Sequence, residues 1–134
     1  MLEVAAHRTP AAQVHYTGVD LFETRSPADG PPLSLKTAHQ TLARFGARVR
    51  LGPGDPFSVL SRMANHLPPS DLVVISSGWD RASLDRAWFF LPRLLHAGSQ
   101  VFVQERPAPG QEPRFCFVPV GQVRAWAAAP RRAA

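Results

Sequence analysis

Apolar positions change their period several times along the chain, and each change marks an element. Val14, Tyr16 and Val19 stand among polar neighbours in VHYTGVD, which predicts a strand over 14–19 closed by Asp20. Ser26 to Pro32 supplies Ser, Pro, Asp and Gly, the residues of a loop. Ser34 then caps a helix whose stripe of Leu35, Ala38, Leu42 and Phe45 keeps helical spacing until Gly46 stops it. Residues 48–51 form a short strand. In GPGDPF, Asp55 reads as an N-cap and Pro56 as the first residue of a helix. That helix shows Leu60, Met63, Ala64 and Leu67 on one face and ends at Pro68 and Pro69.

The run DLVVIS is the most apolar of the strands, a pattern that predicts burial on both faces. Asp80 or Ser83 opens the longest predicted helix, with Leu84, Ala87, Trp88, Leu91, Leu94 and Leu95 on its core side and a kink at Pro92. Gly98 releases the chain into a fourth strand over 101–104. A loose loop over 107–113, a fifth strand in RFCFVPV and a terminal helix over 122–129 complete the series. Leu72, Val74, Leu84, Trp88 and Leu91 are the expected core.

Strands joined through helices imply right-handed crossovers and a mainly parallel sheet. The expected fold is α/β: three-layer and Rossmann-like, with four to five strands and helices on both faces. In such sheets ligands bind outside the carboxyl ends of the strands. That rule singles out residues 20–23, 52–57, 76–80 and 105–107 for functional attention.

Composition narrows the class. The 134 residues suit one domain, expected over 1–129, with a flexible basic tail over 130–134. A hydrophobic share of 45% with 19% charged residues is that of a globular chain, not a disordered one. No apolar run reaches the roughly 18 residues of a membrane span. The first eight residues lack the pattern of a secretory signal, so a cytoplasmic location is expected. The single Cys116 excludes an internal disulfide and argues against a thiolate zinc site. The net charge of +5 invites a nucleic-acid partner. However, fourteen of the fifteen cations are Arg, spread evenly through an Ala- and Pro-rich chain, and no stripe of charge forms. Nucleic acid is therefore not an expected partner.

Candidate chemistry gathers at the strand ends. Asp20 is placed to accept the two hydroxyls of a ribose, and reads equally well as a turn cap. Asp55 can lie beside a nucleotide's base, or serve only as the helix cap. Ser76, Ser77 and Gly78 offer small side chains where a ligand could approach, or a plain tight loop. Neither G-x-G-x-x-G nor G-x-x-x-x-G-K-[ST] follows any strand, so no phosphate-cradling loop is found. The five histidines share no H-x-x-x-H or H-x-H spacing, and no metal site is expected. The serines lack the G-x-S-x-G elbow of a hydrolase. Among the tryptophans, only Trp79 sits where it could face a ligand.

Three segments, VHYTGVDLFETR, GARVRLGPGDPFSVL and the stretch from DLVVISSGWD to QVFVQE, follow one another in a familiar order. They resemble the second to fifth strands of class I S-adenosylmethionine-dependent methyltransferases. That pattern has an acid closing strand two, a Gly-Asp pair after strand three, and Asp-Leu-Val-Val opening strand four. A helix ending in Leu-Leu-x-x-Gly then leads to strand five. The resemblance implies that Asp20 holds the ribose hydroxyls with Leu21 and Phe22 near the adenosine. It places Gly54 and Asp55 on the adenine side, and Ser76, Ser77 and Gly78 near the transferred methyl. The implied cofactor is S-adenosylmethionine, the implied partner an unidentified methyl acceptor.

Two departures from the family bear on that reading. The family's first strand and glycine-rich loop should precede Val14, where only thirteen residues stand, with residues 2–8 resembling the end of the helix after that loop. Ser76 or Ser77 stands where metal-dependent relatives have Asp. The expectation is thus an incomplete methyltransferase-like fold, truncated or catalytically degenerate, that binds the cofactor weakly. The alternative is a non-catalytic α/β module. In either case, exposed sheet edges would recruit a second copy or a partner chain.

Overall fold

The computed structural model describes residues 5, 7–105 and 108–129. The chain is α/β, and its described elements fall into two compact units, residues 1–55 and 56–134. The expected basic tail over 130–134 lies outside the described residues. So does most of the helix expected over 2–8, although Ala5, His7 and Arg8 are helical.

In the first unit, β1 (His15–Asp20) and β2 (Arg48–Pro53) pair in parallel, from His15 opposite Arg48 to Asp20 opposite Pro53. The helix α1 (Leu35–Ala43) connects them and packs on β2. Its start is fixed as the sequence predicts, with the Ser34 hydroxyl accepting the Thr37 N–H at 3.0 Å. Its end is Gly46, which takes φ +78° and bonds back to the Ala43 carbonyl at 3.0 Å. The register puts His15, Thr17, Arg48 and Arg50 on one face, all exposed. Tyr16, Val49 and Leu51 on the other face are half-buried. This alternation is that of a sheet with one wetted side.

The second unit holds α2 (Pro56–Met63), β3 (Ser70–Ile75), α3 (Arg81–Ala87), β4 (Leu95–Glu105), β5 (Arg114–Val118) and α4 (Val120–Ala128). Strand order is β3-β4-β5, with β3 parallel and β5 antiparallel to β4. The five strands thus divide between two hydrogen-bonded sheets, where the sequence predicts one.

The long helix expected up to Leu95 is much shorter. It ends at Ala87, and a 3-10 turn over Leu91–Leu94 follows. Pro92 explains the difference: in a continuous helix its ring would meet the carbonyl of Trp88, and its missing N–H would leave that carbonyl unpaired. The chain breaks at Trp88 instead of kinking.

The core of this unit is a layer of Leu60, Ala64, Ala87, Trp88, Leu91 and Leu94 against Ile75, Val101 and Val118, with Val123 of α4 closing it. Trp88 and Leu91 are buried as expected, and Leu84 is half-buried against the cluster. Leu72 and Val74 correct the expectation of burial, being 46% and 36% exposed. Register gives the reason. Val74 lies beside Phe102 and Phe102 beside Phe117, on the face opposite Val73, Ile75, Val101 and Val118. Among the described residues the helices pack on the latter face, and Phe115 and Phe117 are exposed with Leu72 and Val74. Among the described residues no helix is long and apolar enough to cross a membrane.

Candidate functional site

In the first unit, the carboxyl ends of β1 and β2 meet. Asp20 is the last residue of β1, and its carbonyl accepts the Gly54 N–H at 2.9 Å. Gly54 has φ +133°, a region that side-chain-bearing residues rarely enter, so the turn after β2 depends on glycine there. Asp20 and Gly54 therefore lie side by side at this end of the sheet. Asp55 follows at once and leads into Pro56, the first residue of α2.

After Asp20 the backbone turns sharply. Leu21 is helical, Phe22 has φ +48°, and a 3-10 turn runs over Phe22–Thr24. Left-handed geometry at a non-glycine residue is costly and persists only where its surroundings hold it. Here two contacts hold it. The Phe22 ring is buried, 3% exposed, and its N–H donates to Asp20 Oδ2 at 3.2 Å. Thr24 locks the same turn, donating from its N–H and its hydroxyl to the Leu21 carbonyl at 3.1 and 2.8 Å. Glu23 accepts the Leu35 N–H at 2.8 Å, tying the turn to the start of α1.

Asp20 has a second partner that the sequence reading missed. Arg25 donates from Nε to Asp20 Oδ2 at 2.8 Å, and its Nη2 lies 2.7 Å from the same oxygen. Its Nη1 reaches the Pro31 carbonyl at 3.0 Å. The loop beyond is built by a reciprocal cap, in which Asp29 Oδ2 accepts the Ser26 N–H at 2.7 Å and the Ser26 hydroxyl at 2.9 Å. These bonds, the backbone one foremost, hold the Asp29 carboxyl below its ordinary range. An open depression of ≈ 560 Å³ lies on this loop, lined by Arg25, Pro27, Gly30, Pro31 and Pro32 among others. A charged residue five positions after Asp20, directly before a proline-rich loop, was the available signal for Arg25.

In the second unit, Ser76, Ser77 and Gly78 follow β3. Ser77 donates from its N–H to Gln104 Oε1 at 3.1 Å, with its hydroxyl 3.4 Å from the same oxygen. Gln104 was also missed, although Ile75 pairs with Val103, which puts Gln104 beside the start of this loop. Ser76 and Gly78 are exposed, and a Cβ at Gly78 would meet nothing within 4 Å, so no close approach requires glycine there. Trp79 packs against the core cluster, and Asp80 caps α3 by accepting the Ser83 N–H at 3.0 Å. Neither is directed at a ligand by these contacts.

The structure therefore assembles Asp20, Leu21, Phe22, Gly54 and Asp55 in one unit, and Ser76, Ser77 and Gly78 with Gln104 in the other. Among the described residues, no group of three or more His, Cys, Asp or Glu is placed to hold a metal ion. No protein-family model matches the chain, and neither a curated protein nor a solved structure matches it.

Proposed function

We propose that the chain is an S-adenosylmethionine-dependent methyltransferase-like domain whose first unit carries the adenosine side of the cofactor site. The observation that carries the reading is the corner where Asp20 ends β1 and its carbonyl holds the Gly54 N–H. A carboxylate at the end of a parallel strand, beside a glycine turn on its neighbour, is the general arrangement for receiving a ribose. The left-handed Phe22 adds support, because strained backbone concentrates at binding sites. The finer fold implied is the family's three-layer, Rossmann-like one.

In this reading Asp20 accepts from the ribose, Leu21 and the backbone of Phe22, whose ring is buried, flank the adenosine, and Gly54 and Asp55 border the adenine. The cofactor supplies a methyl group on a sulfonium, and the protein's part is to hold donor and acceptor in line. The 134 residues include no glycine-rich loop for the charged methionine half. Buried polar groups left unpaired cost about 1–3 kcal/mol each, so binding by this chain is weak. Chemical-shift mapping with S-adenosylhomocysteine tests the proposal. Changes confined to Asp20–Phe22 and Gly54–Asp55 support it, and changes elsewhere only would reject it.

A second reading, a non-catalytic module that recruits a partner chain or a second copy, rests on sheet β3-β4-β5. Its outer strands are β3 and β5, and Leu72, Val74, Phe115 and Phe117 are exposed on one face. Such edges and apolar faces are sites of strand addition and packing. Concentration-dependent sedimentation that Phe117→Ser abolishes would favour this reading.

A further inference from the structure

A ribose offers two adjacent hydroxyls, and a carboxylate receives both only when each of its oxygens is open to one. Asp20 does not meet that condition. The Phe22 N–H at 3.2 Å, Arg25 Nε at 2.8 Å and Arg25 Nη2 at 2.7 Å all converge on Oδ2. An oxygen with three donors has no lone pair left for a fourth. Oδ1 is the acceptor that remains.

Arg25 is not a loosely placed surface cation. Its side chain is only 20% exposed and that of Asp20 24%, so water competes weakly for the pair. The guanidinium is further fixed by the Pro31 carbonyl at 3.0 Å, and the chain directly after Arg25 is locked by the Ser26–Asp29 cap. Arg25 is therefore held at the carboxylate from both sides.

We propose that Arg25 determines which sugar the Asp20 corner accepts, acting as an internal occupant of Oδ2 that leaves one hydroxyl acceptor. The inference rests on the reading of this corner as an adenosine site. Its consequence is specific: a site with one open oxygen takes a deoxyribonucleoside nearly as well as a ribonucleoside. Discrimination between diol and single hydroxyl appears only when Arg25 leaves.

The test is a chemical-shift titration of the 134-residue chain with adenosine, 2′-deoxyadenosine and 3′-deoxyadenosine, up to about 10 mM, the range of weak affinities. The wild type should bind adenosine within about threefold of at least one of the deoxynucleosides, since one charge-assisted bond replaces two. Arg25→Met should tighten adenosine about tenfold and bind both deoxynucleosides about tenfold less well than adenosine. Asp20→Asn should weaken all three ligands by similar factors. Wild type that prefers adenosine over both deoxynucleosides by tenfold or more overturns the role of Arg25 and leaves the adenosine corner standing. That comparison needs no variant, so a poorly folded Arg25→Met cannot obscure it. Absence of binding by every form, or binding indifferent to Asp20→Asn, overturns the corner itself and the inference with it.

Discussion

The hydroxyl of Ser99 donates to the carbonyl of Ser70 at 2.6 Å, and this bond closes the irregular start of β4. Two steps along β3, from Ser70 to Leu72, are matched by five along β4, from Leu95 to Gln100. The surplus residues loop out, and Ser99 also accepts the His96 N–H at 2.8 Å. Gly98 donates to His96 Nδ1 at 3.0 Å, which leaves Nε2 to carry the proton toward Asp71 at 2.7 Å.

Replacing Ser99 should therefore be costly for its size. The residue is 6% exposed, and Ser99→Ala leaves the Ser70 carbonyl and His96 N–H without their partner. Urea unfolding should show a loss of about 1–3 kcal/mol. A loss under about 0.3 kcal/mol would mean that water replaces the hydroxyl at no cost.

The contrast between Leu91 and Leu72 tests the one-sided packing of sheet β3-β4-β5. Leu91 is 3% exposed in the core, and Leu91→Ala should cost about 2–5 kcal/mol. Leu72 is 46% exposed, and Leu72→Ala should cost less than about 1 kcal/mol. Equal costs in equilibrium unfolding would show that both faces of the sheet are covered.

The exposed face carries an aromatic pair, Phe102 and Phe117, with ring centroids 5.7 Å apart. Phe117→Ser removes one of these rings from a position 55% exposed. It should lower the binding of a hydrophobic dye by the folded chain and cost no more than about 1.5 kcal/mol. Unchanged dye fluorescence would locate the accessible apolar surface elsewhere.

Cys116 provides a pH test. Its thiol is pushed above the ordinary value because Glu105 accepts its proton in a hydrogen bond, with burial and the Glu105 charge adding to this. The folded state thus favours the neutral thiol. That contribution to stability is complete below the unfolded value, about 8.5, and is lost as pH rises through the folded one. Alkylation should be slower in the folded chain than in urea across pH 8–9, about the range where an ordinary thiol titrates. Glu105→Gln should speed it. Equal rates in folded and unfolded chains would remove the Glu105 contact from the account.

Much of the local structure was legible in the sequence. Ser34, Gly46 and Pro56 mark helix ends because caps and breakers act through the nearest backbone groups, which neighbouring residues determine. The parallel sense of β1 with β2 and of β3 with β4 followed from the helices between them, but the break between β2 and β3, which a helix also joins, did not. What was hidden depends on contacts distant in sequence. DLVVIS carries the pattern of a strand covered twice, yet coverage is decided by which helices reach the sheet, and among the described residues those pack on the Val73 side. The end of α3 at Ala87 needed Pro92 to be read against Trp88, four residues earlier. At the candidate site, Asp20 and Gly54 were visible as strand-end residues. Arg25 and Gln104 were not, because a side chain's partner depends on loop geometry and register rather than on its own neighbours.

The most direct test of the account is a competition titration of adenosine and S-adenosylhomocysteine on the wild type and on Asp20→Ala. The account predicts that both ligands bind one site weakly, with S-adenosylhomocysteine no more than about tenfold tighter because its amino-acid half finds few partners. Both should be lost in Asp20→Ala. Binding of either ligand that survives the loss of the Asp20 carboxylate would contradict it.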